Sequence, residues 1–202
     1  MPTLYARTGR EKQRYVDHFR LVAGCIPYKY TKNMNFQGYP RNSLQVLMIT
    51  SPNRGDLIFP KGGWEDDESL IQAARREAME EAGVKGIIHE SPLGVWEFRS
   101  KSSQSSCKVH GGCRGYMFPL KVTEELELWP GQANYIRKWV TIDEALELCR
   151  YDWMKDALNT FLNYNDKKSE SKFSEVLPHI TSMRSSFALT TLKTIDIMEK
   201  SS

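Results

Sequence analysis

Long apolar runs are absent from this 202-residue chain, and nothing in it approaches the ~20 residues a membrane-spanning helix needs. No membrane partner is therefore expected. Cysteine is sparse: Cys25, Cys107, Cys113 and Cys149 are scattered behind a start that lacks a secretory pattern, which favours free thiols in a reducing interior over a disulfide framework. Strong charge of either sign is missing too. A net +3 is too mild for a nucleic-acid coat protein and suits a small anionic substrate, so no nucleic-acid partner is expected. Repeats are not visible. What remains, 40% hydrophobic and 26% charged, is an ordinary globular composition with length for one domain and little room for two.

The informative stretch is Gly62 to Val84, GGWEDDESLIQAARREAMEEAGV. Ile71, Ala74, Ala78 and Ala82 recur at helical spacing and predict a helix from about Glu68 to Ala82, with Asp66 and Asp67 as N-cap and Gly83 as the stop. Its polar face carries Glu77, Glu80 and Glu81 at i, i+3 and i+4. Each like-charged pair costs a few tenths of a kcal/mol. Their place at the negative end of the helix dipole costs roughly 0.3–1 kcal/mol more apiece. A hard divalent cation removes both penalties, since carboxylates, water and substrate phosphates are the ligands Mg²⁺ prefers. These three side chains are the candidate metal ligands.

The fixed spacing extends further. Gly62, five residues, Glu68, seven residues, then Arg76-Glu77-Ala78-Met79-Glu80-Glu81-Ala82-Gly83-Val84 resembles the Nudix box, GX5EX7REUXEEXGU, with Ala78 small for its aliphatic position. A chance match in this chain is on the order of 10⁻⁷. Beyond the box, Lys85-Gly86, Leu93-Gly94 with Trp96 and Phe98, Trp139, Ile142-Asp143-Glu144-Ala145 and Tyr151 look like the plant form of the diphosphoinositol and diadenosine polyphosphate phosphohydrolase branch. The resemblance covers about residues 19–160. It implies an α/β fold, the Nudix α/β/α sandwich with a mixed β-sheet between helices. It also implies Mg²⁺- or Mn²⁺-dependent hydrolysis of a phosphoanhydride in a nucleoside diphosphate derivative.

Carried over by position, Glu77, Glu80 and Glu81 would bind the metal and one of them could activate water, while Arg76 would orient a box glutamate. Glu68 would brace the loop–helix junction. Lys61, Gly62 and Gly63 would approach a phosphate, and Arg20, Arg54, Arg99, Lys101, Arg114, Arg137 and Lys138 are further cations, with Arg54 and Arg137 preferred. Motifs of the NADH, ADP-ribose and dinucleoside-tetraphosphate members are missing where expected. That leaves long diadenosine polyphosphates such as the hexaphosphate, with a diphosphoinositol polyphosphate substrate or a non-catalytic nucleotide-binding module as alternatives. A zinc knuckle at Cys107, His110 and Cys113 is a weaker reading, because no fourth ligand is evident.

In chain order, residues 1–18 form a polar arm, and the stretch Met1 to Arg20, with Arg7, Arg10, Lys12, Arg14 and Arg20, resembles a short presequence; the mitochondrion is the expected compartment, with cytoplasm as the alternative. The domain is expected over 19–163, as a monomer, and a Lys/Ser-rich tail over 164–202 with a short helix near 187–198. Strands are expected at Phe19–Tyr30, Ser43–Thr50, Leu57–Phe59, Ile87–His89, Leu93–Arg99, Arg114–Thr123 and Tyr135–Val140, with Pro27 and Pro119 marking strand edges or bulges. Thr141 and Glu144 form a capping box for a helix to about Leu148, and Trp153 to Tyr164 is a last amphipathic helix.

Overall fold

Residues 5–34, 40–50, 54–99 and 112–167 are described by the structure, a computed structural model. In order they form β1 (Tyr15–Val16), β2 (Phe19–Met34), β3 (Pro40–Thr50), β4 (Lys61–Gly63), α1 (Leu70–Ala82), β5 (Val84–Ile88), β6 (Gly94–Arg99), β7 (Gly112–Glu125), β8 (Ile136–Thr141) and α2 (Ile142–Leu148), followed by helix α3 over 152–167. The chain divides into two compact units, Met1–Phe161 and Leu162–Ser202. Sheet and site belong to the first; of the second, residues 162–167 are helical. The loop 100–111 with Lys101, Cys107 and His110, and the tail beyond 167, lie outside the described residues.

The eight strands make one mixed sheet of order β5-β7-β2-β3-β8, with β1 and β4 on β2 and β6 on β7. Only β2 and β7 run parallel among these pairs; the rest are antiparallel. Cys25 on β2 donates its thiol to Ala74 O on α1 at 3.3 Å, whereas Tyr28 packs its ring on Phe161 of α3 at 5.0 Å. Side chains three apart on a strand emerge on opposite faces, so the sheet lies between helices as expected. Ile26, Leu47, Ile49, Phe59, Phe118, Met154 and Phe161 fill the core.

Two prolines break the expectation that they mark edges. Both sit in the central pair β2–β7, at places where their strand changes partner. β2 pairs β4 through Val22–Gly24 and β3 from Tyr28 onward, and Pro27 occupies the gap. β7 pairs β6 up to Met117 and β5 from Leu120 onward; Pro119 stands between, its carbonyl accepting from His89 N–H at 3.2 Å. A missing N–H costs nothing where the ladder has no acceptor to offer.

Candidate functional site

The catalytic candidates are delivered by β4, a short loop and α1. Ser69, rather than Asp66 or Asp67, caps the helix: its hydroxyl accepts from Gln72 N–H at 3.3 Å and Gln72 returns a bond to Ser69 N–H at 2.7 Å. Asp67 is instead paired with Lys12 and Arg7, both at 2.8 Å, which removes it from capping. Gly83 ends the helix at φ 63°, the left-handed conformation glycine adopts without strain. Ala73, Ala74, Ala78 and Ala82 are buried, and their small size brings the α1 backbone close to the sheet.

Glu77 and Glu80 are buried as well, only 7% and 6% exposed. Arg76 is the hub between them. It donates to Glu68 at 2.7 and 3.0 Å, to Glu77 at 2.7 Å, to Glu80 at 3.2 Å and to the Gly63 carbonyl at 2.8 Å. Glu68 also accepts from Glu65 N–H at 3.1 Å, a brace at the loop–helix junction. Glu81 has different partners, accepting from Lys61 N–H at 2.8 Å and from the Tyr135 hydroxyl. Gly62 is the floor of the site: a Cβ there would lie 2.2 Å from the carboxyl carbon and both oxygens of Glu77.

The electrostatics show a shortage of positive charge. Burial, then the neighbouring Glu81 charge, pushes the Glu77 carboxyl up to about 8 against the pull of Arg76. Burial also raises Glu80 and Glu81, with Arg76 and Lys61 respectively opposing it. Glu77 and Glu80 thus share one guanidinium that is also bonded to Glu68, and Glu81 has only the Lys61 charge to oppose its burial. Among the described residues no three or more acidic, histidine or cysteine side chains stand close enough together, as they are placed, to hold a metal ion. The chemistry of the donor set still fits a hard divalent cation: it is all oxygen, burial disfavours its charged carboxylates until more positive charge arrives, and a side-chain-free glycine stands beside Glu77. Glu77, Glu80 and Glu81 are the residues that would hold one.

Beside this floor lies a cavity of about 200 Å³ whose lining includes Arg20, Lys61, Gly62, Arg99, Arg150 and Tyr151. Arg20, Lys61 and Gly62 are thereby brought together. Gly63 is not in that lining; its open side is covered by Gln13. The two preferred arginines are elsewhere. Arg54 is bound to Asp56 at 2.8 and 2.9 Å. Arg137 donates to the Ala82 and Gly83 carbonyls at 3.3 and 3.1 Å and stacks on Trp129, so it serves the end of α1 and not a phosphate. Arg150, which sequence reasoning missed, reaches the cavity from beyond α2 and also bonds Asp56 at 3.0 Å. Its neighbour Tyr151 was the one local signal.

The NUDIX domain family model matches residues 36–161. The chain is 58% identical to "Nudix hydrolase 13, mitochondrial" of Arabidopsis thaliana over 85% of its own length and 88% of that protein's. It is 55% identical to "Nudix hydrolase 12, mitochondrial" of the same plant over 90% and 92%. A mouse "Diphosphoinositol polyphosphate phosphohydrolase 3-alpha" is 39% identical over 52% of this chain and 59% of that one. Among solved structures, a binary complex of the C. elegans Ap4A hydrolase superposes with TM-score 0.50 at 19% identity, covering 73% and 98%, which speaks to the fold. The mitochondrial names agree with the compartment expected from the basic N-terminal segment.

Proposed function

This chain belongs to the Nudix hydrolase family, and on that premise we propose that it cleaves long diadenosine polyphosphates, such as the hexaphosphate, with Mg²⁺ or Mn²⁺, acting as a monomer. It is a hydrolase of nucleoside diphosphate derivatives, in a family that depends on divalent metal. The observation that carries the finer reading is the cationic cavity opening onto Gly62, directly beside the buried Glu77. A substrate with many phosphates needs cations beyond its metal-bearing end, and Arg20, Lys61 and Arg99 line this cavity, beside an Arg150 that Asp56 already holds.

The roles follow from position. Divalent cations, when bound by Glu77, Glu80 and Glu81, would neutralise phosphate charge and acidify a water. Arg76 holds Glu77 and Glu80 in fixed rotamers and shares its charge with Glu68, so the carboxylates need no rearrangement on binding. Lys61 links both halves, its N–H on Glu81 and its side chain on the cavity. Water attacks one phosphorus, the bond to the leaving phosphate breaks, and the proton of the water passes to a box carboxylate.

A diphosphoinositol polyphosphate is the second reading, favoured by the similarity to the mouse enzyme of that name. Diadenosine polyphosphates, inositol pyrophosphates, ADP-ribose and NADH offered in parallel, with products separated chromatographically, decide between them. The expected result is fastest turnover of the longest diadenosine compound, abolished in Glu81→Gln. Equal turnover by that variant and the wild type refutes the carboxylate assignment, and binding without turnover of any of the four by the wild type leaves a binding module.

A further inference from the structure

The segment ahead of β1 resembles a detachable arm in sequence, yet its described residues are tied to the carboxylate site. Asp17 and His18, at φ 49° and 67°, turn β1 back onto β2 and lead the preceding chain across the loop between β4 and α1. Backbone bonds fasten it there: Arg14 N–H to Trp64 O at 2.9 Å, and Asp66 N–H to Lys12 O at 2.8 Å. The Arg14 side chain adds bonds to the Glu65 and Asp66 carbonyls at 3.0 and 2.7 Å and lies over the Trp64 ring.

Arg7 makes the most consequential contacts. Its guanidinium bridges buried Glu65 and Asp67, and its backbone N–H donates to Glu80 Oε2 at 3.3 Å, the same oxygen that Arg76 holds. Glu65 N–H is in turn bonded to Glu68, which Arg76 grips. The twin glycines record the same arrangement. Gly62 leaves room for Glu77, while a Cβ on Gly63 would stand 1.6 Å from Gln13 Oε1. The loop is therefore shaped for the arm as well as for the catalytic acid.

We propose that residues 7–14 are a positioning strap for the carboxylate site, with Arg7 as its anchor, and that the working enzyme retains them. Resting on the hydrolase reading above, this places the start of the functional domain at Arg7 instead of Phe19. Of the basic residues that resemble a presequence, Arg7, Lys12 and Arg14 are spent on Glu65, Asp67 and the loop carbonyls, so on this proposal mitochondrial processing cuts ahead of Arg7.

Mn²⁺ binding to the full-length chain, followed by electron paramagnetic resonance of the free ion, tests the strap beside turnover. Arg7→Ala is expected to weaken Mn²⁺ binding by about tenfold and to lower kcat, the effect typical of losing a partner behind a metal ligand. KM should move by less than about twofold, and Arg7→Lys, which can still meet one acid, should recover part of the loss. Unchanged or tighter Mn²⁺ binding in Arg7→Ala overturns the strap; tighter binding would mean that the arm competes with the cation. No Mn²⁺ binding by the wild type overturns the assignment of Glu77, Glu80 and Glu81 as metal ligands and the strap with it, leaving the family membership untouched. The mass of the chain after exposure to isolated mitochondria gives a check that no folding defect can blur. An N-terminus at or ahead of Arg7 supports the proposal, and an active enzyme starting beyond Arg14 refutes it.

Discussion

Metal-free protein should lose thermal stability as the pH rises from about 5 to 8, the reverse of ordinary acid denaturation. The perturbing group is Glu77, 7% exposed, whose carboxyl is displaced from 4.5 to about 8 by burial and by Glu81. Between those two values the folded chain keeps a proton that the unfolded chain has already released. Folding therefore becomes less favourable by up to ~1.4 kcal/mol for each pH unit crossed. Over the whole window this amounts to roughly 3–5 kcal/mol, the lower figure allowing for a proton shared with Glu81. Glu80 and Glu81 are displaced in the same direction and reinforce the sign.

Groups of opposite sign act elsewhere on the pH axis. Arg54 and Arg150 hold the Asp56 carboxyl well below its usual range, and Thr141 lowers Glu144. Their contribution is complete above about pH 4 and is lost only as the pH falls further. Scanning calorimetry in EDTA should thus show a maximum Tm near pH 5 and a decline of about 6–20 °C by pH 8.5, at ~2–4 °C per kcal/mol for a chain of this size. Excess Mg²⁺ should restore more at pH 8 than at pH 5.5, and Glu77→Gln should flatten the EDTA profile. A Tm that is level or rising from pH 5.5 to 8.5 in EDTA, or an unaltered slope in Glu77→Gln, refutes the claim that this cluster is short of positive charge.

Gly62→Ala forces the Glu77 carboxylate away from a Cβ otherwise 2.2 Å distant, and kcat should fall by about 10²-fold with the circular dichroism spectrum preserved. Arg20→Ala should raise KM for a long polyphosphate by about tenfold, in keeping with one charge-assisted hydrogen bond, while kcat changes less. Arg137→Ala should do the opposite, leaving KM in place and costing about 1 kcal/mol of stability in denaturant titration, because it removes donors from the end of α1.

Helix α1 was legible because its determinants are local: alanines at helical spacing, a terminal glycine and acids on one face. The choice of cap was not. Asp66, Asp67 and Ser69 are all capping types, and the decision falls to Ser69 because Asp67 is claimed by Arg7 and Lys12, residues more than fifty positions away in the chain. Pro27 and Pro119 were misplaced for a related reason, since composition shows a lost donor but not the gap between partner strands that tolerates it.

The cations teach the same lesson about the substrate end of the site. An arginine in sequence announces charge, and topology decides whether an oxygen of the protein or of a ligand meets it. Arg54 and Arg137 read as phosphate binders from their nearness to the motif and to Trp139, yet one is paired with Asp56 and the other donates to the carbonyls at the end of α1. For Arg20 and Arg99 no carboxylate partner occurs among the described residues, and both line the cavity at Gly62. An arginine left without an internal counter-charge gains most from an incoming anion, because it gives up no existing pair. On that ground, and not on sequence distance from the box, Arg20 and Arg99 are the cavity side chains with most to gain from an incoming anion.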